Sequence, residues 1–162
     1  MSQAELEIRP LRESERPDLR EFLTRRWGSP EIVSRGQVHD ASTAPAIVAR
    51  RDGRLVGLVT YRLNGESCEV LTLNAFDRRQ GIGSALMEAV AERARRERCR
   101  RLWLITTNDN LDAIAFYEHR GMRLAAVHHG AVDEARRLKP SIPERAENGL
   151  RISDELEVEL AP

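Results

Sequence analysis

A change in the hydrophobic pattern near Asn74 constrains the fold of this 162-residue chain more than any other feature. Before it, two dipeptides typical of tight hairpin turns, Asp52-Gly53 and Asn64-Gly65, separate three strand-like segments, AIVAR, RLVGLVTYRL and SCEVLTLNA. After it, apolar residues recur at helical spacing from Gly81 to about Arg98, and a short apolar run, Arg101–Thr106, follows. The sequence therefore predicts an antiparallel meander that leads into a parallel strand-helix-strand crossover.

The flanking segments extend this pattern in both directions. LEIRPL has the alternation of a strand, Ser14 is placed to cap a helix with Leu19 and Leu23 on one face, and residues 31–44 predict only a loop or a short helix. The later elements are a helix from about Leu111 to Arg120, a strand MRLAAV, a short helix at Ala131–Leu138, a loop KPSIPERAENG and a final strand ELEVEL. The predicted fold class is α+β, with a central mixed, mostly antiparallel sheet of about seven strands and helices on both faces.

Composition excludes several classes of protein. The 26 basic and 26 acidic side chains give a formal net charge of zero, which argues against a nucleic-acid coat or a polybasic membrane binder. No apolar run approaches the roughly 18 residues of a membrane span, and the polar start MSQAELEIRP is unlike a signal peptide. Two cysteines form neither a disulfide framework nor a C-x-x-C pair. We expect a soluble, cytoplasmic protein with one domain, residues 1–162, and no nucleic-acid or membrane partner.

The segment NAFDRRQGIGSAL carries the strongest chemical signal. A strand ends there, and a helix begins at Gly81-Ile82-Gly83, where glycines let the backbone approach an anion and free N–H groups point toward it. Arg78 and Arg79 add positive charge at the same place. The pattern predicts a phosphate or pyrophosphate site. A Walker loop is excluded because no Gly-Lys-Ser/Thr run exists, and a dinucleotide fingerprint is excluded because Leu86 stands where a third glycine is needed.

Two motifs resemble those of the GNAT family, the Gcn5-related N-acetyltransferases. The spacing Arg78-x-x-Gly81-x-Gly83 resembles the family's acetyl-CoA pyrophosphate loop. The spacing Asn110-x-x-Ala113-x-x-Phe116-Tyr117 resembles a later motif, on the helix after the next strand, that lines the cofactor thiol in the family. Either motif alone fits ordinary packing, but both occur here in the family's order, and the predicted elements match the family fold over nearly the whole chain.

The resemblance implies how a cofactor would bind. In GNAT proteins the strand before the phosphate loop splays from the next parallel strand, and the pantetheine arm lies in the gap; here these segments are Leu71–Asn74 and Leu102–Thr106. The co-substrate is acetyl-CoA, and no metal is expected. The implied cofactor-binding residues are Leu73, Asn74, Arg78, Arg79, Gln80, Gly81, Ile82, Gly83, Ser84, Asn110, Ala113 and Phe116.

The resemblance also implies catalytic roles. Tyr117 matches the family's general acid, since a phenol with an ordinary pKa of about 10 can donate a proton to the leaving thiolate. The base position of the histone-acetyltransferase branch is Ser67 here, and Glu69, two residues on and on the same strand face, is the candidate base acting through water. His128 and His129 are alternatives, of which a strand can direct at most one toward the site.

The implied activity is direct transfer of an acetyl group from acetyl-CoA to a primary amine. The acceptor is either an amine-bearing small molecule or a protein N-terminus or lysine, and the alternative is a non-catalytic acyl-CoA-binding sensor. The tail from His128 onward is expected to shape the acceptor pocket, and analogy with the family implies a homodimer. The arginine-rich end of the long helix fits a solvated face, whereas Glu155, Glu157 and Glu159 fit either attraction of a cationic amine or protection of an edge strand from aggregation.

Overall fold

The computed structural model describes residues 5–76 and 81–162. Its strands are β1 (Glu7–Pro10), β2 (Glu31–Ser34), β3 (Gln37–Asp40), β4 (Ala46–Arg51), β5 (Arg54–Asn64), β6 (Ser67–Ala75), β7 (Arg101–Thr107), β8 (Arg123–His128) and β9 (Glu155–Leu160). Its helices are α1 (Arg16–Trp27), α2 (Ile82–Arg96), α3 (Leu111–His119) and α4 (Ala131–Leu138), with a short 3-10 helix at Glu13–Glu15 before α1.

A seven-stranded sheet, in the order β1-β4-β5-β6-β7-β9-β8, organises the described residues. The pair β6–β7 is parallel, and the other neighbouring strands of this sheet run antiparallel. The predicted α+β class, the strand number and the mostly antiparallel sheet are confirmed.

Two hydrophobic cores lie on opposite faces of the sheet. On one face α2 buries a stripe at helical spacing, including Leu86 and Val90, against β4–β7, and the adjacent α3 contributes Tyr117. On the other face α1 packs Leu19 and Leu23 against Val48 and Leu58 of β4 and β5. Because successive residues of a strand point to opposite faces, the central strands feed both cores.

Residues 31–44 differ from the prediction of a loop or short helix. They contain the hairpin β2–β3, with Ile32 opposite His39 and Val33 opposite Val38. Arg35 and Gly36 both have positive φ, 49° and 76°, so the chain reverses in a tight turn of the kind that joins hairpin strands. The four-residue strands are half-exposed, and this weakens the alternation by which a strand is recognised in sequence.

Ser14 does not cap the first helix as predicted. It lies within the 3-10 turn Glu13–Glu15, and the capping hydrogen bond comes from the Arg12 backbone N–H to Oε1 of Glu15, at 2.8 Å. Oε1 of Glu15 also accepts from Nη1 of Arg9 at 2.7 Å, and Oε2 accepts from Nη2 of Arg50 at 2.6 Å. Glu15, and not Ser14, therefore caps the start of the helix. Its carboxylate also joins that start to β1 through Arg9 and to β4 through Arg50.

We expect Glu15→Gln to lower the free energy of unfolding near neutral pH by about 1–2 kcal/mol. The hydrogen bond from Arg9 is the largest cause that lowers the pKa of Glu15 to about 2, from an ordinary value of 4.5, with Arg12 and Arg50 adding to it. A lowered native pKa stabilises the fold above the unfolded value, and the contribution is lost as pH falls from about 4.5 toward 2. Urea unfolding of wild type and variant across this range measures it, with exposed Glu13→Gln as control; a difference independent of pH would contradict the prediction.

Gly57 of β5 lies directly beneath the start of α2. A Cβ atom there would lie 2.7 Å from Cγ2 of Ile82 and 2.9 Å from the Asn74 carbonyl oxygen. We expect Gly57→Ala to destabilise the protein by about 1–3 kcal/mol, because the backbone oxygen cannot yield as a side chain would. Gly83→Ala is the matched control, since its Cβ would first meet Phe116 at 3.4 Å and neither glycine has a positive φ. Urea unfolding measures both, and equal losses would contradict the steric explanation.

Candidate active site

A gap opens between the parallel strands β6 and β7. Their ladder joins Ser67–Val70 to Arg101–Leu104 and ends there within the described residues. Beyond that point β6 stays paired with β5 as far as Ala75, and β7 stays paired with β9 as far as Thr107. The splayed pair that the resemblance implied is therefore present.

A β-bulge marks the start of this gap. Thr60 pairs with Thr72 and Tyr61 pairs with Val70, so Leu71 is an extra residue on β6. Bulges bend a strand and increase its twist, which turns β6 away from β7. The hydroxyl groups of Thr60 and Thr72 are hydrogen-bonded to each other at 2.6 Å in the buried sheet, which holds the two strands together beside the bulge.

A cavity of about 580 Å³ adjoins the gap on the face that carries α1. Leu71 and Thr72 of β6 and Ile105–Thr107 of β7 form its floor. Its walls come from the end of α1, from β2, and from α4 with the loop that follows it. The tail after His128 therefore contributes to this cavity, through α4, the loop and Glu155.

The segment Gly81-Ile82-Gly83 forms the start of α2, which packs on the face of the sheet opposite to the cavity. Arg78, Arg79 and Gln80 of the predicted phosphate loop lie outside the described residues. Gly81 is the N-cap, with a left-handed φ of 72°, and the first helical hydrogen bond runs from the Ala85 N–H to the Gly81 carbonyl. The N–H groups of Ile82, Gly83 and Ser84 precede that bond, so they have no carbonyl partner within α2. Ile82 is also a core residue, 1% exposed.

The two motif segments are in direct contact. Gly83 of α2 faces the ring of Phe116 on α3, and a Cβ on Gly83 would lie 3.4 Å from it. Arg120, at the end of α3, donates to the Ser84 hydroxyl, and its guanidinium lies 5.3 Å from the Phe116 ring centroid. Arg120 was not predicted from the sequence. The signal that would have identified Arg120 is its spacing of four residues from Phe116, which puts the two side chains on one face of the helix.

Tyr117 is the buried member of the second motif. It is 9% exposed and belongs to the core between the sheet and α2, with its ring centroid 5.4 Å from that of Phe116. Burial raises the pKa of its phenol to about 12. The hydroxyl therefore stays protonated throughout the physiological range, as a proton donor must.

The remaining predicted cofactor residues surround the gap. Leu73 and Ala113 are partly buried against the main core, and Asn110 is exposed at the N-cap of α3, where it lines the cavity. Asn74, one residue before the end of β6, has a buried side chain, and its Oδ1 has no hydrogen-bond partner among the described residues. A buried amide oxygen of this kind needs a donor, and a pantetheine amide in the gap would supply one, so these residues fit acetyl-CoA.

Glu69 is buried on the face of the β2–β3 hairpin, 3% exposed. The Ser34 hydroxyl donates to its Oε2 at 2.6 Å, and Nη1 of Arg62 donates to its Oε1 at 3.3 Å. The alternative bases are also engaged: Nε2 of His128 lies 3.0 Å from Oε1 of Glu157, and Nδ1 of His129 lies 3.3 Å from Oδ2 of Asp154.

The three glutamates of β9 do not protect a sheet edge. β9 lies between β7 and β8, because the chain places its last strand inside the sheet. Glu155 pairs with Arg35, and Arg101 bridges Glu157 and Glu159. The edge interpretation is therefore wrong, and these carboxylates instead neutralise arginines on the same face.

Residues 5–76 and 81–162 hold no group of three His, Cys, Asp or Glu side chains arranged to bind a metal ion. None of their helices is both long and apolar enough to cross a bilayer.

Comparison with known protein families shows which family the chain belongs to. The model of the acetyltransferase (GNAT) family matches residues 7–122, which is more than half of the chain. The chain belongs to the GNAT acetyltransferase family. The uncharacterised protein YdhI of Bacillus subtilis strain 168 is 43% identical over 139 residues, covering 85% of this chain and 87% of YdhI. YxbD of the same strain, also uncharacterised, is 38% identical over 136 residues, covering 83% and 86%.

Solved structures share the fold at low sequence identity. The IAA acetyltransferase from Bacillus cereus ATCC 14579 aligns with a TM-score of 0.76 and 18% identity, covering 98% of this chain and 100% of that one. A putative streptothricin acetyltransferase from Bacillus anthracis Ames, solved in complex with acetyl coenzyme A, aligns with a TM-score of 0.69 and 15% identity, covering 98% and 100%. The GNAT family match ends at Met122, so α4 and the loop that wall the cavity lie beyond it.

Proposed function

We propose that this GNAT protein transfers an acetyl group from acetyl-CoA to a primary amine by direct transfer in a ternary complex. The observation that carries this proposal is the gap between β6 and β7. It adjoins the 580 Å³ cavity on one face of the sheet, while α2 and α3 with their motif residues pack on the other. An acyl donor lying in the gap is reachable by an acceptor that enters from the cavity.

Different motif residues bind different parts of acetyl-CoA. The main chain of Leu73 and the side chain of Asn74 bind the pantetheine amides, in the manner of an added strand. The N–H groups at the start of α2 bind the pyrophosphate, where the helix dipole favours negative charge. The pyrophosphate set is Arg78, Arg79, Gln80, Gly81, Ile82, Gly83 and Ser84, and Asn110, Ala113 and Phe116 flank the pantetheine. Arg120, held beside Ser84, adds a positive charge to that end.

The reaction needs a neutral amine and an acid. A base takes a proton from the ammonium group, and the amine nitrogen then forms a bond to the carbonyl carbon of the thioester. As the C–S bond breaks, the Tyr117 hydroxyl gives its proton to the sulfur, and the second nitrogen proton passes through water back to the phenolate. The products are an acetamide and free CoA thiol. The raised pKa of Tyr117 keeps the donor protonated before transfer.

Glu69 remains the predicted base, acting through water. Both of its carboxylate oxygens accept hydrogen bonds, from Ser34 and Arg62, and it does not line the cavity, so water would have to carry the proton from the amine to it. Of the two histidines, only His128 belongs to a strand, and its ring already pairs with Glu157.

A thermal-shift titration with acetyl-CoA tests the donor, with ATP and NAD as controls. At a hundredfold excess over its dissociation constant a ligand adds about 2.7 kcal/mol, which moves the unfolding midpoint by roughly 5–10 °C for a domain of this size. A shift with acetyl-CoA alone is the expected result. Absence of any shift would contradict acetyl-CoA binding and with it the proposed function.

Product formation separates a catalyst from a protein that only senses acyl-CoA. We expect free thiol to accumulate from acetyl-CoA when a suitable amine is added, at a rate proportional to enzyme concentration. Binding of acetyl-CoA without acceptor-dependent thiol release for any amine would favour the non-catalytic alternative.

A further inference from the structure

We propose that the cavity selects a small primary amine with one ammonium group and an apolar body, and that Asp109 and Glu155 receive the ammonium. This inference rests on the proposed function, and it names the acceptor class that the site admits. It follows from the distribution of apolar and charged groups around the cavity.

The walls of the cavity are mainly hydrocarbon. Trp27 at the end of α1, Ile32 and Val33 of β2, and Ile142 after α4 line it above the Leu71 floor. Ile32, Val33 and Ile142 are only partly buried, so their side chains have apolar surface that the protein itself does not cover. An acceptor with a polar body would lose hydration there without gaining hydrogen bonds.

Two carboxylates line the cavity where β7 ends. Glu155 is directly opposite Thr107 in the β7–β9 ladder, and Asp109 follows Thr107 by two residues. Both line the cavity together with Thr107 itself. They lie at the end of β7 in the same cavity as Leu71 and Ile105, the residues that directly follow the last paired residues of β6 and β7, so an ammonium held by them shares the cavity that adjoins the gap.

The bonding of the two carboxylates leaves room for a cationic partner. Glu155 is 3% exposed, and Nη1 of Arg35 donates to its Oε1 at 2.9 Å, so Oε2 can accept from an ammonium group. Asp109 has a buried Oδ1 with no hydrogen-bond partner in the described part of the chain. Buried acceptors are satisfied in the great majority of cases, and an ammonium with three donors would satisfy this one.

The other charged groups of the cavity limit the acceptor to one positive charge. Arg26 and Lys139 are the remaining charged residues that line it. Lys139, whose Nζ donates to the Glu31 carbonyl at 2.8 Å, joins the end of α4 to β2. A second ammonium on the acceptor would face these cations rather than the carboxylates, so a polyamine is disfavoured.

The size of the cavity selects a small molecule over a polypeptide. A volume of about 580 Å³ lies within the range of sites for compact ligands, about 300–1,000 Å³. α4 and the following loop wall it and reach the end of α1, where a Cβ on Gly28 would lie 3.8 Å from the Ser141 hydroxyl oxygen. A peptide acceptor would need an open groove through this wall.

The experiment compares three acceptors with acetyl-CoA as donor. We expect 2-phenylethylamine, an apolar monoamine, to have a kcat/KM at least tenfold above that of spermidine and that of a peptide with a free N-terminus. A preference for spermidine or the peptide would overturn the inference while leaving acetyl transfer intact. Thermal shift with acetyl-CoA in the same samples separates this outcome from failure of the proposed function, in which no shift and no product appear.

Matched variants locate the binding site. Glu155→Gln and Asp109→Asn are expected to raise the KM for 2-phenylethylamine at least fivefold, with an unchanged thermal shift from acetyl-CoA. The control Glu159→Gln, on the same face of β9 but outside the cavity, is expected to change this KM less than twofold.

A second pair of variants tests the size of the cavity. Ile142→Trp fills the cavity and should lower kcat/KM for the larger 4-phenylbenzylamine more than for 2-phenylethylamine. Leu138→Trp, exposed on α4 and outside the cavity wall, is its control. Equal effects of cavity variants and controls would refute the assignment.

Discussion

We expect Tyr117→Phe to lower kcat at least tenfold while acetyl-CoA still binds, since general acid catalysis contributes roughly 10²–10⁴-fold to typical enzymes. Because the thiolate is a moderate leaving group, we expect the loss in kcat to lie toward the lower end of that range. The substitution keeps the ring in the core and removes only the hydroxyl. Steady-state thiol release with saturating acetyl-CoA measures the loss, and thermal shift verifies that the donor still binds.

Tyr61→Phe is the matched control for this prediction. Tyr61 is the other tyrosine of the chain, it is 6% exposed in the same core, and burial raises its pKa too. We expect that variant to retain nearly full turnover. The pH profile supplies a second readout, because a phenol with a pKa of about 12 should sustain turnover to at least pH 10. If both variants kept full activity, Tyr117 would have no role as the acid.

Gly83→Ala is expected to weaken acetyl-CoA binding at least tenfold without destabilising the free protein. The added methyl would contact Phe116 at an ordinary 3.4 Å, so the fold accepts it, and alanine favours helix over glycine by up to about 1 kcal/mol. The same methyl stands on a residue whose N–H is proposed to bind the pyrophosphate, and it removes the close approach to the backbone that glycine allows. Isothermal titration with acetyl-CoA and urea unfolding of the free variant measure the two effects separately.

Glu88→Ala is the control on the same helix. Glu88 is exposed on the solvent face of α2, where it pairs with Arg95, so its loss should leave the affinity for acetyl-CoA unchanged. Unaltered affinity in Gly83→Ala would mean that the glycine is needed only to begin the helix, and the phosphate site would have to be sought elsewhere.

Local signals account for the elements that were predicted correctly. Asp52-Gly53 joins β4 to β5 as predicted, because its backbone preferences act within four residues. The second turn was predicted at Asn64-Gly65 and lies one residue later, at Gly65-Glu66, because Asn64 still pairs with Ser67. The long helix was predicted as Gly81–Arg98 and observed as Ile82–Arg96, since one buried face over fifteen residues imposes its own period. The β2–β3 hairpin was missed because its four-residue strands are half-exposed and only Arg35-Gly36 marks the turn.

The candidate site likewise contains residues that the sequence motifs identified and residues that they did not. Gly83 and Phe116, far apart in the chain, were assigned to one site through two motifs, and the structure brings them into contact. Arg120 and Asp109 belong to neither motif. Arg120 has a helical spacing to Phe116 that the sequence shows, whereas the place of Asp109 in the cavity emerges only from the structure. The role of Glu155 also changes, from a charge on a presumed edge strand to a buried carboxylate in a cavity wall.

The sequence by itself determined the α+β class and the order of most elements, because turn dipeptides and helical periodicity act over a few residues, and two short motifs carried the resemblance to the GNAT family that implies the donor site and the candidate acid Tyr117. Only the tertiary structure decided where β6 leaves β7, which residues enclose the cavity and which charges face each other across it. Those features depend on contacts such as Arg35 with Glu155 and Lys139 with Glu31, each between residues more than a hundred positions apart, and no local pattern encodes such pairings.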